Sequence, residues 1–371
     1  MKVLIVANYA KEHINYFHLS TIKRFKELGW QVDVACCADD TIPYCDTVYN
    51  LPMERNPFRP QTFSAIKQLR KIIEREKYDV VHCHTYAGKF IGVLAAAPFR
   101  KHGVKVVYTS HGFQYFKGAS PLAWALFLPI DWLLARKMDV LITMNEEDHQ
   151  TVEKFRFPVK HLAHCNGAGI KIDRFARFSN SRSETRSQLG IADDTLVMIY
   201  VAELNVNKNQ SMLLKMLAEV HKQIPDCCLL LVGKDHSSGR IPRQIENAKA
   251  SLNIQWLGWR SDVPDLLRAA DIAVASSIRE GLPLNIMESM YCKLPVVATS
   301  NRGHRELITD DVSGYLVDTN DYRTMANRVV RLAQNPSLVN TFTQQAYNNI
   351  LKYSDDCVVE QITEIYNEYL L

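Results

Sequence analysis

Short apolar segments alternate with longer amphipathic segments along most of this 371-residue chain. The apolar segments have the length of buried strands, and the segments between them carry apolar residues at helical spacing. Strands separated by such helices predict parallel sheets built from right-handed crossovers. The predicted strands lie at 3–7, 31–37, 79–83, 105–110 and 139–144 in the first half, and at 196–201, 227–232, 254–257, 272–276 and 296–299 in the second.

Two domains are expected, because the chain exceeds the roughly 250–300 residues at which a single core stops growing. The serine-rich polar stretch 179–190 is the predicted linker. The first domain is therefore predicted to span 1–178 and the second 191–352, and 353–371 is predicted to form a helix that packs back on the first domain. The expected fold class is α/β, with two Rossmann-like, doubly wound parallel-sheet domains that face a central cleft.

Composition and cysteine content indicate an ordinary globular protein, with 47% hydrophobic and 23% charged residues. Nine cysteines without a C-x-x-C pair favour reduced thiols and hence the cytoplasm. Residues 1–7 are interpreted as a core strand rather than a signal peptide. No stretch of the sequence approaches the ~18 apolar residues of a membrane span.

Positive charge is concentrated in the first half of the chain. Residues 1–180 contain 25 Lys and Arg against 17 Asp and Glu, a net charge of +8, whereas the remainder contains 19 against 23, a net charge of −4. This asymmetry indicates an anionic partner for the first half, such as a phospholipid surface or a pyrophosphate. Chance surface composition is an equal alternative. No nucleic acid is expected as a partner.

Two carboxylates stand eight residues apart around a glycine-proline turn between a predicted strand and helix. Glu280 belongs to the loop at the carboxyl end of the strand, Glu288 belongs to the helix, and Pro283 suits its first turn. Open α/β sheets bind ligands at this edge. Carboxylates there can accept hydrogen bonds from hydroxyls, while the N–H groups of Gly281 and Leu282 face an anion. The alternative is a pair of solvated charges beside an ordinary loop.

Two further cleft candidates follow predicted strands. Lys208 lies near the start of the helix after strand 196–201, with Asn207 as the predicted N-cap. A lysine beside a helix N-terminus suits a diphosphate, and a plain surface lysine is the alternative. His111 ends strand 105–110, where it can hydrogen-bond a sugar hydroxyl or stabilise developing charge, unless it is a structural histidine.

Four histidines near the predicted acceptor side do not have the spacing of a metal site. His13 and His18 flank the start of the first helix, and His84 follows the strand 79–83. We expect His82 and His84 to point to opposite faces of that strand, so that they share no metal. The sequence has no P-loop, dinucleotide fingerprint, Asp-x-Asp or zinc spacing. We therefore expect no metal and no cofactor.

Taken together, these residues resemble a family-4 glycosyltransferase of the GT-B fold. The resemblance runs nearly end to end and is carried by Asn166-Gly-Ala-Gly-Ile, Leu257-Gly-Trp-Arg260, Glu280-x7-Glu288 and Gly303-His-Arg-Glu306. Segments that begin at His13, Thr109 and Ile142 are similar to the subgroup that builds capsular, exopolysaccharide or O-antigen repeat units in bacteria.

The resemblance implies a retaining transfer from a nucleotide sugar, most often a UDP-sugar, without a metal. It implies that Glu288 holds the ribose hydroxyls, that Glu280 holds the donor-sugar hydroxyls and that Lys208 binds the diphosphate, aided by nearby backbone N–H groups. The leaving phosphate would be neutralised by these groups. The implied acceptor is a lipid-linked saccharide at the inner face of the cell membrane.

Two side chains complete the implied donor site. The nucleobase would lie against the segment around Trp259 and Arg260, and His111 would contact the donor sugar from the first domain. Many relatives carry a Gly-Arg pair where this chain has Ala202-Glu203, so diphosphate binding depends more on Lys208. The Glu203 carboxylate, so close to the expected diphosphate, must point away from it or be paired. Residues 8–13 stand where many relatives have a Gly-Gly loop, so the resemblance does not define the acceptor side.

The stretch 116–137 combines two tryptophans, bulky aliphatics and basic flanks. These are the ingredients of a helix that lies on a membrane surface, giving a peripheral membrane contact, but packing against the first sheet explains most of the same residues. Two other functions are also compatible with the sequence: a GT-B nucleotide-sugar epimerase that needs no acceptor, and a non-catalytic subunit that binds a nucleotide sugar or glycan.

Overall fold

The chain divides into two compact units, each built on its own sheet. The computed structural model describes residues 1–54, 56–57 and 59–371. Unit 1 comprises Met1–Gly169 and Asp355–Leu371, and unit 2 comprises Ile170–Ser354. Both sheets are parallel and covered by helices, which confirms the predicted fold class of two Rossmann-like domains.

Unit 1 contains a seven-stranded parallel sheet of order β3-β2-β1-β4-β5-β6-β7. Its strands are β1 (Lys2–Tyr9), β2 (Gln31–Cys37), β3 (Thr47–Asn50), β4 (Val80–Cys83), β5 (Lys105–Ser110), β6 (Val140–Thr143) and β7 (His161–His164). The strand order reverses between β1 and β4. Loops at the carboxyl ends of these two strands therefore diverge, which is where open α/β sheets bind ligands.

Helices cover the sheet of unit 1, and β1 is correspondingly buried along most of its length. These helices are α1 (Asn15–Phe17), α2 (Leu19–Glu27), α3 (Gln61–Glu76), α4 (Tyr86–Ala96), α5 (Pro121–Ala135) and α6 (Glu146–Lys154). A π-helical turn, Ala10–Ile14, follows β1, and a 3-10 turn, Ala97–His102, follows α4. π-helical turns are rare and are frequent at functional sites.

Unit 2 contains a six-stranded parallel sheet of order β10-β9-β8-β11-β12-β13. Its strands are β8 (Leu196–Val201), β9 (Cys227–Val232), β10 (Ile254–Trp256), β11 (Ile272–Ala275), β12 (Val296–Thr299) and β13 (Tyr315–Val317). Its helices are α7 (Ile172–Ala176), α8 (Arg182–Gln188), α9 (Gln210–His221), α10 (Arg240–Ala248), α11 (Val263–Ala269), α12 (Leu284–Tyr291), α13 (Arg302–Leu307), α14 (Tyr322–Ala333) and α15 (Pro336–Ile350), with a 3-10 turn at Leu351–Tyr353.

The last helix, α16 (Asp355–Tyr369), returns the chain to unit 1, as predicted. It contacts α2, and the Ser20 hydroxyl donates to the Asp355 carboxylate at 2.9 Å. The Tyr366 hydroxyl lies 2.9 Å from Nδ1 of His82, inside the core of unit 1. The last helix therefore supports His82 at the end of β4.

The stretch 179–190 is not a linker, and the boundary lies earlier than predicted, between residues 169 and 170. Its serines and glutamate form a capping box at Ser181 that starts helix α8. The Arg186 side chain is fully buried and donates to four carbonyl groups and to the Asp271 carboxylate. A polar composition here reflects capping and a buried arginine rather than a flexible connection.

None of the described helices combines the length and the apolar character needed to cross a bilayer.

We predict that Arg186→Met lowers the free energy of unfolding by about 3–5 kcal/mol, because it leaves buried acceptors without their charged donor. Denaturant titration of the full chain measures this loss. Arg177→Met removes an exposed arginine nearby and should change stability by no more than about 0.5 kcal/mol. Equal losses of stability for the two substitutions would contradict the anchoring of α8 by Arg186. They would support the prediction that 179–190 is a linker.

Candidate functional site

Two loops of unit 2 are held together at the carboxyl ends of neighbouring strands. The loop 202–209 follows β8, the loop 276–283 follows β11, and these two strands pair directly. Asn207 joins the loops, because its Nδ2 donates to the Arg279 carbonyl at 2.9 Å and its Oδ1 accepts from the Arg279 N–H at 3.2 Å. Backbone bonding adds a third link, from Ile278 N–H to the Asn207 carbonyl at 2.8 Å.

Asn207 is therefore not the N-cap of α9, contrary to the sequence-based prediction. The N-cap is Asn209, whose φ of 52° lies in the left-handed region and whose side chain makes no capping bond. Asparagine tolerates this conformation better than most residues. Lys208 consequently precedes the helix by two residues, with its own N–H bonded to Oδ1 of Asn205 at 2.9 Å.

The two joined loops bring Lys208 and Glu280 into an ion pair. Nζ of Lys208 lies 2.5 Å from Oε1 of Glu280, and the side chains are 21% and 14% exposed. Burial disfavours the charge on each, but the Glu280 carboxylate raises the pKa of Lys208, and Lys208 followed by His304 lowers the pKa of Glu280. Both groups therefore stay ionised at neutral pH. The sequence placed both residues at the site but did not foresee that they pair.

The start of α13 packs closely against the Glu280 loop. A Cβ on Gly303 would lie 2.9 Å from both the Glu280 Cβ and the Gly281 carbonyl oxygen, so only glycine fits there. Nε of Arg302 donates to the Glu280 carbonyl at 3.0 Å. Nδ1 of the buried His304 lies 2.6 Å from the Thr299 carbonyl, and burial lowers the pKa of His304 to about 4.

Three residues of this neighbourhood were not identified as site residues from the sequence: Arg279, Arg302 and His304. Burial lowers the pKa of Arg279, and the nearby charge of Arg302 lowers it further. The two arginines add positive charge beside the Lys208–Glu280 pair. The motif Gly303-His-Arg-Glu306 was the available signal, but a motif alone does not say that α13 packs against this loop.

Glu288 lies on the buried face of α12, one turn after the loop that carries Glu280. It is 9% exposed. Burial raises the pKa of Glu288 to about 7, and the charge of Arg174 only partly opposes this effect. The N-terminus of the same helix follows Gly281, Leu282 and the buried Pro283, as the sequence predicted.

Trp259 and Arg260 lie in the loop that follows β10. The Trp259 side chain is 66% exposed, so an aromatic face is available on the surface of unit 2. The Arg260 guanidinium instead makes a bidentate pair with Asp262, with 2.7 Å from Nε to Oδ1 and 2.5 Å from Nη2 to Oδ2. This pairing fixes the Arg260 side chain within its own loop.

Glu203, the departure from the family pattern, is exposed. It lies beside His236, at 3.9 Å from its Nε2. The loop passes so close to Gly233 that a Cβ there would lie 2.1 Å from the Ala202 carbonyl oxygen. Only glycine allows this approach. The Glu203 carboxylate thus stands apart from the Lys208–Glu280 contact, although its charge still raises the pKa of Lys208 slightly.

Five histidines gather at the carboxyl edge of the sheet in unit 1. His13 comes from the π-helical turn after β1, His18 precedes α2, His82 and His84 come from the end of β4, and His111 follows β5. Nε2 of His13 and Nε2 of His18 are 3.1 Å apart, and Nε2 of His111 lies 3.4 Å from Nδ1 of His84. Burial lowers the pKa of every one of them, to about 4 for His111 and about 3 for His82.

The prediction that His82 and His84 point to opposite faces is wrong. Their ring centroids are 4.2 Å apart, because residues two apart in an extended strand share a face. His82 is held by Tyr366 and by the Thr109 hydroxyl, 2.8 Å from its Nε2. Thr85, the next residue after His84, has a φ of 62°, a strained value for a β-branched side chain.

The helix α5 packs most of its large side chains on the core of unit 1, including Trp124, Phe127 and Trp132. Leu122, Leu126 and Leu133 remain exposed, at 75%, 47% and 55%. Packing on the sheet therefore accounts for one face of this helix, and three leucines remain on its exposed face.

Two family models together match most of the chain. The model described as Glycosyltransferase Family 4 matches residues 17–164, and the model described as Glycosyl transferases group 1 matches residues 181–349.

Relatives with curated descriptions cover nearly the same span. The chain is 37% identical over 359 residues to the glycosyltransferase EpsD of Bacillus subtilis, covering 96% of this chain and 94% of that protein. It is 26% identical to a UDP-Gal:alpha-D-GlcNAc-diphosphoundecaprenol alpha-1,3-galactosyltransferase of Escherichia coli, covering 85% of this chain and 81% of that protein.

Solved structures share the fold at low sequence identity. HepE from Anabaena, solved with UDP and glucose, has a TM-score of 0.81 and 20% identity, covering 99% of each chain. The lipopolysaccharide glycosyltransferase WaaG has a TM-score of 0.75 and 14% identity, covering 99% of this chain and 100% of that chain.

We predict that Glu288→Gln stabilises the nucleotide-free chain increasingly as the pH rises. Burial raises the pKa of Glu288 from 4.5 to about 7. The native state therefore holds this proton more tightly than the unfolded state, and the resulting stabilisation is complete below pH 4.5 and is lost as the pH rises through 7. Glutamine stays neutral. The free energy of unfolding of the variant, relative to that of the wild type, should therefore increase by about 3 kcal/mol between these two pH values.

Denaturant titrations across this pH range test the prediction. Glu246→Gln, which removes an exposed carboxylate on α10, is the matched control and should show no such trend. A difference between Glu288→Gln and the wild type that does not vary with pH would contradict the assignment of a buried, protonated carboxyl at this position.

Proposed function

This chain belongs to glycosyltransferase family 4, and from that premise we propose that it transfers a sugar, with retention, from a UDP-sugar to a lipid-linked saccharide during the synthesis of a bacterial surface polysaccharide. The chain is an enzyme with the GT-B fold. The observation that carries the finer proposal is the Lys208–Glu280 pair at the carboxyl edge of the unit 2 sheet.

Binding of a donor would exchange the partners of this ion pair. A diphosphate carries more charge than one carboxylate, so Lys208 would turn from Glu280 to the phosphate oxygens. The freed Glu280 carboxylate would then accept hydrogen bonds from the hydroxyls of the donor sugar. N–H groups near Gly281 and Leu282, at the start of α12, support the same role, because a helix N-terminus attracts anions.

The leaving group is the nucleoside diphosphate, which gains negative charge as the bond to the sugar breaks. Lys208 and the N-terminus of α12 would stabilise this charge without reorganising during the reaction. The arginines Arg279 and Arg302 add positive potential to the same loop and offset the absence of the arginine that many relatives carry after the first strand of this domain.

The nucleoside would be held by two further residues of unit 2. The ribose hydroxyls would donate to Glu288, and ionised carboxylate accepts these bonds better than the neutral acid. Nucleotide binding should therefore lower the pKa of Glu288 and release a proton. The exposed Trp259 offers an apolar face for the base, while Arg260 stays paired with Asp262.

The donor and acceptor proposals draw support from different relatives. The Anabaena neighbour binds UDP and glucose, and the Escherichia coli relative acts on a diphosphoundecaprenol acceptor. In unit 1, His111 is proposed to contact the donor sugar, and His13, His18 and His84 to line the acceptor side. The exposed leucines of α5 with nearby Lys117, Arg136 and Lys137 would bring the enzyme to an anionic membrane surface, where a lipid-linked acceptor resides.

We predict that Lys208→Met lowers turnover by at least about 100-fold, because it removes a preorganised charge that stabilises the leaving phosphate. The measurement is UDP release from a panel of UDP-sugars in the presence of membrane lipid extract, with sugar analysis of a sample that contains no lipid to detect epimerisation. Lys215→Met removes an exposed lysine from the adjacent helix and should leave turnover unchanged.

The double variant Lys208→Met/Glu280→Gln controls for folding. It removes both charges, so that no buried carboxylate is left without its cation. We expect it to be folded, by thermal unfolding, and inactive. Near-normal turnover of either variant would remove this site from the mechanism.

We predict that replacing Leu122, Leu126 and Leu133 together by serine weakens binding to vesicles that contain anionic lipid by about tenfold or more. Cosedimentation measures the effect. Phe63→Ser is the matched control, since Phe63 is as exposed as Leu122 but lies on α3. Unchanged vesicle binding of the triple variant would show that α5 does not contact the membrane.

A further inference from the structure

Three histidines of unit 1 offer their ring nitrogens to a common point. They come from three separate places: His13 from the π-helical turn after β1, His18 from the residue before α2, and His111 from the end of β5. One ring nitrogen of each lies within 4.8 Å of the others. The spacing in sequence gave no sign of a metal site, because the fold alone brings the three positions together.

The distances suit a transition-metal ion. Tetrahedral Zn²⁺ binds histidine nitrogen at about 2.0–2.1 Å, so two ligand nitrogens stand roughly 3.4 Å apart. Nε2 of His13 and Nε2 of His18 are already 3.1 Å apart. The third nitrogen lies within 4.8 Å of the other two and has to approach by up to about 1.4 Å to reach that spacing. It belongs to His111, which is only partly buried.

The surroundings favour a soft or borderline ion. The cavity beside the three histidines is lined by His84 and His82 and by apolar groups that include Phe17 and Ile362, and no described lining residue is a carboxylate. Imidazole ligands without carboxylates select zinc, copper, nickel or cobalt over magnesium or calcium. His82 is fixed by Thr109 and Tyr366, so it forms a rigid wall rather than a ligand.

We propose that His13, His18 and His111 bind a divalent first-row transition-metal ion such as Zn²⁺, with the fourth coordination position open to water or to a substrate oxygen. Three neutral imidazoles and one open position are a known arrangement for zinc in enzymes. This binding does not depend on the proposed transfer reaction.

One consequence does depend on the proposed function. If His111 contacts the donor sugar, a metal on its ring competes with that contact, and the ion opposes transfer instead of assisting it. Saturating Zn²⁺ should then lower UDP release by the wild-type enzyme. A chain that binds the metal but releases no UDP under any condition would refute the transfer proposal and leave the metal site intact.

Cobalt titration of untagged, chelator-treated full-length protein tests the site. Co²⁺ should bind at one ion per chain and give the visible absorption of a tetrahedral complex, and Zn²⁺ should displace it. His13→Gln, His18→Gln and His111→Gln should each weaken binding by about 100-fold or more, since loss of even a supporting residue costs 10–100-fold. His102→Gln removes an exposed histidine of unit 1 and should change nothing.

Two outcomes of the titration would overturn the proposal. One is the absence of Co²⁺ binding to the wild type. The other is Co²⁺ binding that survives when His13, His18 and His111 are all replaced by glutamine, which would place the ion elsewhere, for example on Cys36. Because substitution at the buried His18 could unfold the chain, Cu²⁺-loaded wild type is also studied by electron paramagnetic resonance. Coupling to three imidazoles is expected, and coupling to fewer than three contradicts the site.

Discussion

The contact between Lys208 and Glu280 is the interaction on which the account of this enzyme depends. Two ionised side chains at a partly buried position are stable only while each neutralises the other, and breaking such a pair by removing one partner is costly. The loops that hold them are joined by Asn207 and closed from the other side by Gly303, so the pair is fixed before any donor arrives. In the proposed reaction, a diphosphate and a sugar would together replace both halves of the contact, which would couple recognition of the two parts of the donor.

The sequence predicted the fold and where the candidate site residues lie within it, because both follow from local signals. Short apolar runs such as 227–232 are strands in the structure, and the helix expected after Pro283 is α12. Glu280, Lys208 and His111 all lie after strand ends, as predicted, since alternation of strands and helices fixes which loops share an edge. The prediction of a linker at 179–190 was wrong because capping residues and a buried arginine have the polar composition of a linker.

Side-chain partners were not predictable to the same degree. Asn207 resembles a helix cap in the sequence, but its amide joins two loops that are 72 residues apart in the chain. The five clustered histidines of unit 1 lie at or after the carboxyl ends of β1, β4 and β5, and only the strand order makes them neighbours. Long-range contacts of this kind depend on the packing of whole strands, which periodicity does not encode.

The most direct test of the account is a crystal structure of the chain with a UDP-sugar bound. The account predicts that the diphosphate contacts Nζ of Lys208, that Glu280 has left the lysine for hydroxyls of the sugar, and that Glu288 contacts the ribose. A nucleotide bound elsewhere, or a Lys208–Glu280 contact that persists with the donor in place, would contradict it.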